Sequence, residues 1–457
     1  MSRRPIWEEI YKRFDPFRPA ENPAWWAKRV RSPAAKIVQR VAMPFGDTRA
    51  LVTGTTGTGK STEILRIAKA RSGEDLVIVL DLQRHFSVVV GDEQALRRIS
   101  SWEVIFLAGL AIVRATSELM AHAPVPEEYI KDLGAAWERV ARVTGTPTAQ
   151  GAQIDIGALA KAMVVTASAA LPLLGAPAAA GAVGLKVLEG AAGAFKWNLP
   201  LGQAQKRKAD QDAEMQSLLH AINLIIGYIQ TKAARILLLV DGLDRITDLG
   251  RAESLFLESE LIPQLECRMV VSGPFALRSS PAASAVPRFN LVVPLVNEPV
   301  MDHVDPREPG PGIDFFCDLY RRRTSDLGVS DLVHRPELER LAYLSGGRAR
   351  DFVKSIRMLA EQCWLDDVPS ATPAQVEAVV DSARRLLETG LDRGHIRVLE
   401  SIMMDSKHRI PEDDKARELL AYGHLLPYPN ESEWYYPHPL LTLHLLQPSE
   451  RSSTASG

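Results

Sequence analysis

The chain has 457 residues, with 54 lysines and arginines against 56 aspartates and glutamates and a net charge of −2. That balance excludes a protein whose whole surface binds nucleic acid by charge, although a local basic patch is compatible with it. The length suits roughly two to four domains with at least one large core. Cys267, Cys317 and Cys363 lie far apart, with neither metal-ligand spacing nor a disulfide framework, as expected in a reducing cytoplasm.

Residues 1–45 form an arm rich in aromatic side chains (Trp7, Tyr11, Phe14, Phe17, Trp25, Trp26), and its start, MSRRPIWEEIYKRF, carries no signal-peptide pattern. A P-loop core is expected over 46–298. It opens with the apolar run Arg49–Thr53, a buried strand, followed by Gly54-Thr55-Thr56-Gly57-Thr58-Gly59-Lys60-Ser61 and then Thr62. This is the complete G-x-x-x-x-G-K-[ST] loop: the glycines let backbone N–H groups fold around a phosphate chain, Lys60 reaches the phosphates, and the Ser61 hydroxyl meets Mg²⁺. Apolar residues Ile64, Leu65 and Ala68 give Ser61–Ala70 a helical face, so the order is strand, loop, helix. The aromatic arm would then cover either an adenine ring or part of the core.

Leu76–Leu82 reads as a second strand, and 101–120 and 127–143 as amphipathic helices. An insertion is expected over about 95–205. Within it, 162–185 (MVVTASAALPLLGAPAAAGAVG and its neighbours) carries no charge. Three readings stand side by side: a membrane-active helix pair, a buried helical hairpin, or an Ala/Gly-rich loop. Glu214–Ala233 is a helix with an apolar stripe. It leads into Arg235–Arg245, RILLLVDGLDR, where Ile236–Val240 is a buried strand and Asp241 its acidic end, the form of a Walker B segment. Asp241 is expected to hold Mg²⁺ opposite Ser61. Asp244 either orients the attacking water or simply makes a turn. No Asn/Thr-Lys-x-Asp motif is present, which favours ATP over GTP. Ala252–Leu265 is expected to be helical, Cys267–Ser272 a strand with a polar end, and Leu291–Val296 the last strand.

A Pro/Gly cluster over 299–312 marks a domain change. A helical lid is expected over 310–390. Within it Gly346-Gly347-Arg348-Ala349-Arg350-Asp351 ends one helix and starts another, and Arg350, with Arg348 as the alternative, would face the nucleotide. Residues 391–447 read as a winged helix: helices near 395–405 and 414–422, two short β pieces, and a last helix opening at His438-Pro439. Residues 448–457 are expected to be a disordered tail.

GTTGTGKST, ILLLVDGLDR, the polar-ended strand, GGRARD and the YYPHPLL ending together resemble a STAND-type AAA+ ATPase of the bacterial KAP/STAND-like group, distantly similar to origin-recognition ATPases. The resemblance covers most of the chain. It implies an α/β fold: a three-layer αβα P-loop NTPase with a parallel sheet, a helical lid and a C-terminal winged helix. It implies ATP/ADP and Mg²⁺ as cofactors, Lys60, Asp244 and Arg350 in catalysis, and Ser61 and Asp241 at the metal. His438 matches the place of a histidine that touches the ADP phosphate in STAND proteins, with two flanking positions departing from their motif. The implied function is a switch closed with ADP and open with ATP, self-associating on ATP binding, in signalling or anti-phage defence, acting through 162–185 or a separate effector protein. An origin-recognition-like DNA-binding ATPase and a non-hydrolysing scaffold are the alternatives. The expected location is the cytoplasm, with 162–185 as the one route to a membrane.

Overall fold

The computed structural model describes residues 3–120, 123–144, 155–169, 185–189, 197, 199, 201–202, 212–232, 235–279, 289–329, 332–429 and 433–446. The chain divides into two compact units, one comprising 33–54 and 63–294, the other 1–32, 55–62 and 295–457.

The first unit is built on a seven-stranded sheet. Its strands are β1 (Arg49–Gly54), β2 (Leu76–Asp81), β3 (Val165–Ser168), β4 (Lys186–Leu188), β5 (Ile236–Asp241), β6 (Arg268–Pro274) and β7 (Leu291–Pro294), in the order β4-β3-β2-β5-β6-β1-β7. The five strands from β2 to β7 in that order run parallel, while β3 and β4 extend the β2 edge antiparallel. The unbroken apolar runs of β2 and β5 are what central parallel strands need, because both faces are covered. Helices Ser101–Leu119, Glu127–Thr144 and Asp212–Lys232 supply much of that cover, with Trp137 stacked on Phe106 at 3.8 Å. Ser100 and Glu103 form a capping box at the start of the first of these.

Three expectations are corrected here. The helix expected over Ala252–Leu265 runs only Leu249–Glu253, followed by a wider turn to Glu258. Pro263 cannot donate to a helical ladder and closes that route. The strand expected over Leu291–Val296 ends at Pro294. The start of the uncharged 162–185 segment is neither a membrane helix nor a helical hairpin, because Val165–Ser168 is a sheet strand paired with Val77–Leu80. Residues 170–184 lie outside the described residues. Among the described residues no helix is long and apolar enough to cross a membrane.

His85 is fully buried near β2, edge-on to Trp197, with no hydrogen-bond partner for either ring nitrogen among the described residues. Burial pushes its pKa down to about 4. An unfolded histidine takes up its proton near 6.5, so between these values the unfolded chain binds more protons and stability falls as pH falls. His85→Leu should therefore remove about 3 kcal/mol of the wild-type loss between pH 6.5 and 4. Urea unfolding of both proteins at the two pH values measures it, and parallel pH profiles would refute it.

The second unit is helical. The Arg4–Arg13 helix packs on Ala349–Leu365, placing Trp7, Ile10 and Phe14 in a core shared with helices Ile313–Thr324, Arg335–Leu344 and Pro373–Glu388. The Trp7 indole N–H donates to Val368 O at 2.9 Å. Helices Arg393–Met404 and Asp414–Tyr422, the antiparallel pair β8 (Leu425–Tyr428) and β9 (Trp434–Pro437), and the short helix Pro439–Thr442 follow. The turn between β8 and β9 and the tail from 447 lie outside the described residues.

Candidate nucleotide site

Gly54 closes β1, and the chain turns directly into the phosphate-loop sequence, with the next helix starting at Lys60. Gly57 and Gly59 hold φ of +96° and +99°, which side-chain-bearing residues rarely adopt. Lys60 is buried, and its Nζ donates to Thr55 O at 2.7 Å; the Thr58 hydroxyl donates to the same oxygen at 3.0 Å. Among the described residues the buried Thr55 hydroxyl has no partner. Ser61 and Thr62 occupy the first turn of the helix, where backbone N–H groups have no intrahelical acceptor.

Three consecutive carbonyls of this loop are taken by arginines from elsewhere in the same unit. Thr56 O accepts from Arg348 Nη2 at 2.7 Å, Gly57 O from the backbone N–H of Arg350 at 3.0 Å, and Thr58 O from Arg29 Nη2. In a trans peptide the next N–H points opposite to the carbonyl. The N–H groups of Gly57, Thr58 and Gly59 are thereby turned away from the arginines, the arrangement of an anion-binding nest. Only the Thr58 N–H has a loop acceptor, Thr55 O at 3.4 Å.

Arg29 was not singled out in the sequence, since a lone arginine in an aromatic arm has no motif around it. Its Nε lies 3.2 Å from Glu298 Oε1, its guanidinium stands over the Phe315 ring, and its buried Nη1 has no hydrogen-bond partner among the described residues. Both side chains of the pair are largely buried, so removing the cation should be costly. Arg29→Met is expected to lower stability by about 3 kcal/mol. Chemical unfolding checks this, and a loss below about 1 kcal/mol would show the contact to be incidental.

Arg350 meets the loop with its backbone, while its Nε donates to Pro16 O. The side chain that reaches the loop is Arg348. It also pairs with Asp351 at 2.8 Å, and Asp351 lies 3.6 Å from His438 Nε2. His438 is buried and caps the last helix, accepting from Leu440 N–H. It meets the loop through two intermediaries and not directly. Burial pushes the Asp351 carboxyl up, but Arg348, His438 and Arg350 outweigh this and hold it at about 2. Burial also lowers the His438 pKa, against the pull of Asp351.

In the sheet unit, the carboxyl ends of four parallel strands fall together by register. Asp81 is paired with Asp241 across β2 and β5, and Gly54 with Pro274 across β1 and β6. Asp241 is buried and accepts from the Gly242 N–H at 2.9 Å, which is shared with the Ser272 hydroxyl at 2.9 Å. Asp244 lies in the one-turn helix Leu243–Arg245 that follows. Burial pushes the Asp81 carboxyl up, opposed by the Arg84 N–H and by Arg84 and Arg245. Asp81 carries the same signature as Asp241, an acid closing an apolar strand, and could have been found by it.

With β6 between the phosphate-loop strand and the Asp241 strand, the fold is an α/β P-loop NTPase fold with a mostly parallel sheet. No family model matches the chain, and no curated protein matches it. Among solved structures it is similar to the Aeropyrum pernix ORC2 protein in its ADP form, at 12% identity over 94% of each chain with a TM-score of 0.42. It is similar to the Aeropyrum pernix ORC1 protein in complex with DNA, at 10% identity over 95% of this chain and 94% of that chain, TM-score 0.36. It also resembles the Thermotoga maritima RuvB Holliday junction branch migration motor, at 16% identity over 51% of this chain and 83% of that one, TM-score 0.27. At these identities and TM-scores none of them bears on what this chain binds.

Proposed function

We propose that this chain is an ATP-binding and ATP-hydrolysing switch. Residues Gly54–Thr62 take the phosphates and Lys60 their charge, Ser61 and Asp241 hold Mg²⁺, and Asp244 orients the attacking water. The donor set fits: an N–H nest with an orphaned Thr55 hydroxyl on one element, and an acid beside the Ser272 hydroxyl on another. Bound Mg²⁺ would neutralise phosphate charge.

The reading as a switch is carried by one line of contacts, from Thr56 O through Arg348 and Asp351 to His438. Any nucleotide that moves the loop carbonyls must also disturb a half-buried charge pair next to the last helix. Two states that differ there will differ in nucleotide affinity, which is what a ligand-driven switch requires. In the STAND-type version the ADP form is closed and the ATP form opens and self-associates. Size analysis of wild type and Asp241→Asn, with ADP and with a slowly hydrolysed ATP analogue, tests this. A size change with the analogue that is absent in the variant is expected, and identical elution in all four samples would overturn the switch.

The second reading, an origin-recognition-like DNA-binding ATPase, is less well supported by the Asp414–Tyr422 helix. Lys415 is paired with Asp392 at 2.7 Å and Arg417 with Asp414 at 2.8 Å, and Glu412, Asp413 and Glu418 add negative charge. Duplex binding that weakens steeply with salt would favour it instead.

A further inference from the structure

The helical unit contains a cavity of about 420 Å³, bordered by Arg348, Asp351 and His438, whose interior none of the readings above fills. It lies between the Ala349–Leu365 and Pro373–Glu388 helices on one side and the Arg393–Met404 and Asp414–Tyr422 helices on the other. Met358, Ala383, Leu387, Leu391, Leu419 and Leu440 give it an apolar wall. Leu386 and Tyr422, 62% and 59% exposed, also line it and lead to solvent. The volume and the largely apolar lining with few polar groups are those of a small-molecule site.

The polar groups have a definite sign. Two carboxylates in the lining are engaged: Asp351 by Arg348, and Glu418 by His395 Nε2 at 3.3 Å. The His424 Nε2 is held by Leu387 O at 3.0 Å. Among the described residues Lys354 has no ion-pair or hydrogen-bond partner, and the Arg348 Nε is buried without one. The uncommitted donors are thus cationic, while Arg348 offsets the Asp351 charge and His395 engages the Glu418 carboxylate. An occupant with a negative group satisfies them, and its apolar body replaces water on the leucine wall. A neutral or cationic occupant leaves Lys354 unmatched or repelled.

We propose that this cavity binds a small amphiphilic carboxylate, an acid group on a short alkyl or aryl body, with Lys354 as the counter-charge. Because Arg348 belongs both to the cavity and to the Thr56 contact, occupancy also changes nucleotide affinity. That second part rests on the reading of the loop as a nucleotide site.

The full-length protein, without nucleotide, is titrated by calorimetry with octanoate, octanol and octylamine. Saturable binding of octanoate, and weaker or no binding of the other two, is expected. Lys354→Met should weaken octanoate about tenfold, and Ala383→Phe, which fills the space, should abolish binding. Both variants should retain wild-type circular dichroism, since Lys354 is unpaired and Ala383 is half-buried. Absence of octanoate binding overturns the site, as does binding equal for all three probes or unchanged in both variants. ATP affinity is then measured with and without saturating octanoate. No ATP binding at all refutes the nucleotide reading and leaves the carboxylate site standing. Unchanged ATP affinity refutes only the coupling.

Discussion

Lys60→Ala is expected to lower ATP affinity at least ~100-fold, the scale on which single charged clamps on phosphoryl groups act. Its folding should be almost untouched. Lys60 opens a helix, where alanine is favoured, and the hydrogen bond to Thr55 O is a modest loss. The lysine is held inside the loop it would serve, and a phosphate would replace the Thr55 carbonyl as the acceptor of its ammonium. Calorimetric titration with Mg²⁺-ATP, together with thermal melts of both proteins, separates binding from stability. Affinity within threefold of wild type would remove Lys60, and the loop with it, from the function.

The largest structural effect is expected at Gly347. Its φ is +76°, and a methyl group built there runs into the Glu298 carbonyl oxygen and lies 3.0 Å from the Glu298 carbonyl carbon and nitrogen. Glu298 in turn donates its N–H to Gly347 O at 3.0 Å, so the two backbones are fixed against each other. Neither can retreat as a flexible side chain would. Gly347→Ala should cost about 3 kcal/mol or more, combining left-handed strain with a backbone collision. Gly328 provides the comparison: its φ is +69°, but nothing lies within 4 Å of the added methyl. Gly328→Ala should cost about 1 kcal/mol. Equal losses in urea unfolding would mean that the close approach at Gly347 contributes nothing.

The parallel sheet and the placement of the loop were legible because both rest on local signals. Short apolar runs rich in Leu, Ile and Val that end in Gly54 and Asp241 read as buried strands, and the loop spacing is set by its own backbone geometry. Three features were not legible because they depend on contacts distant in sequence. The start of 162–185 has strand-forming Val164, Val165 and Thr166 within an Ala-rich run, and the β2 edge decided the outcome. Arg29 and Glu298 meet only when the chain is folded. Which part of Arg348 and of Arg350 touches the loop turns on which of them caps the helix: Arg348, at the N-cap, reaches the Thr56 carbonyl with its side chain, and Arg350 reaches the Gly57 carbonyl with its backbone N–H. Periodicity distinguishes faces of a helix, not the residue at which its first turn begins.

The hydrogen bond from the Arg350 amide to Gly57 O has a practical consequence. That amide hydrogen should swap with deuterium slowly while the loop is seated and quickly once the loop lifts away. A single peptide in a mass-spectrometric deuteration time course would thus report the opening of the loop, with no label attached to the protein.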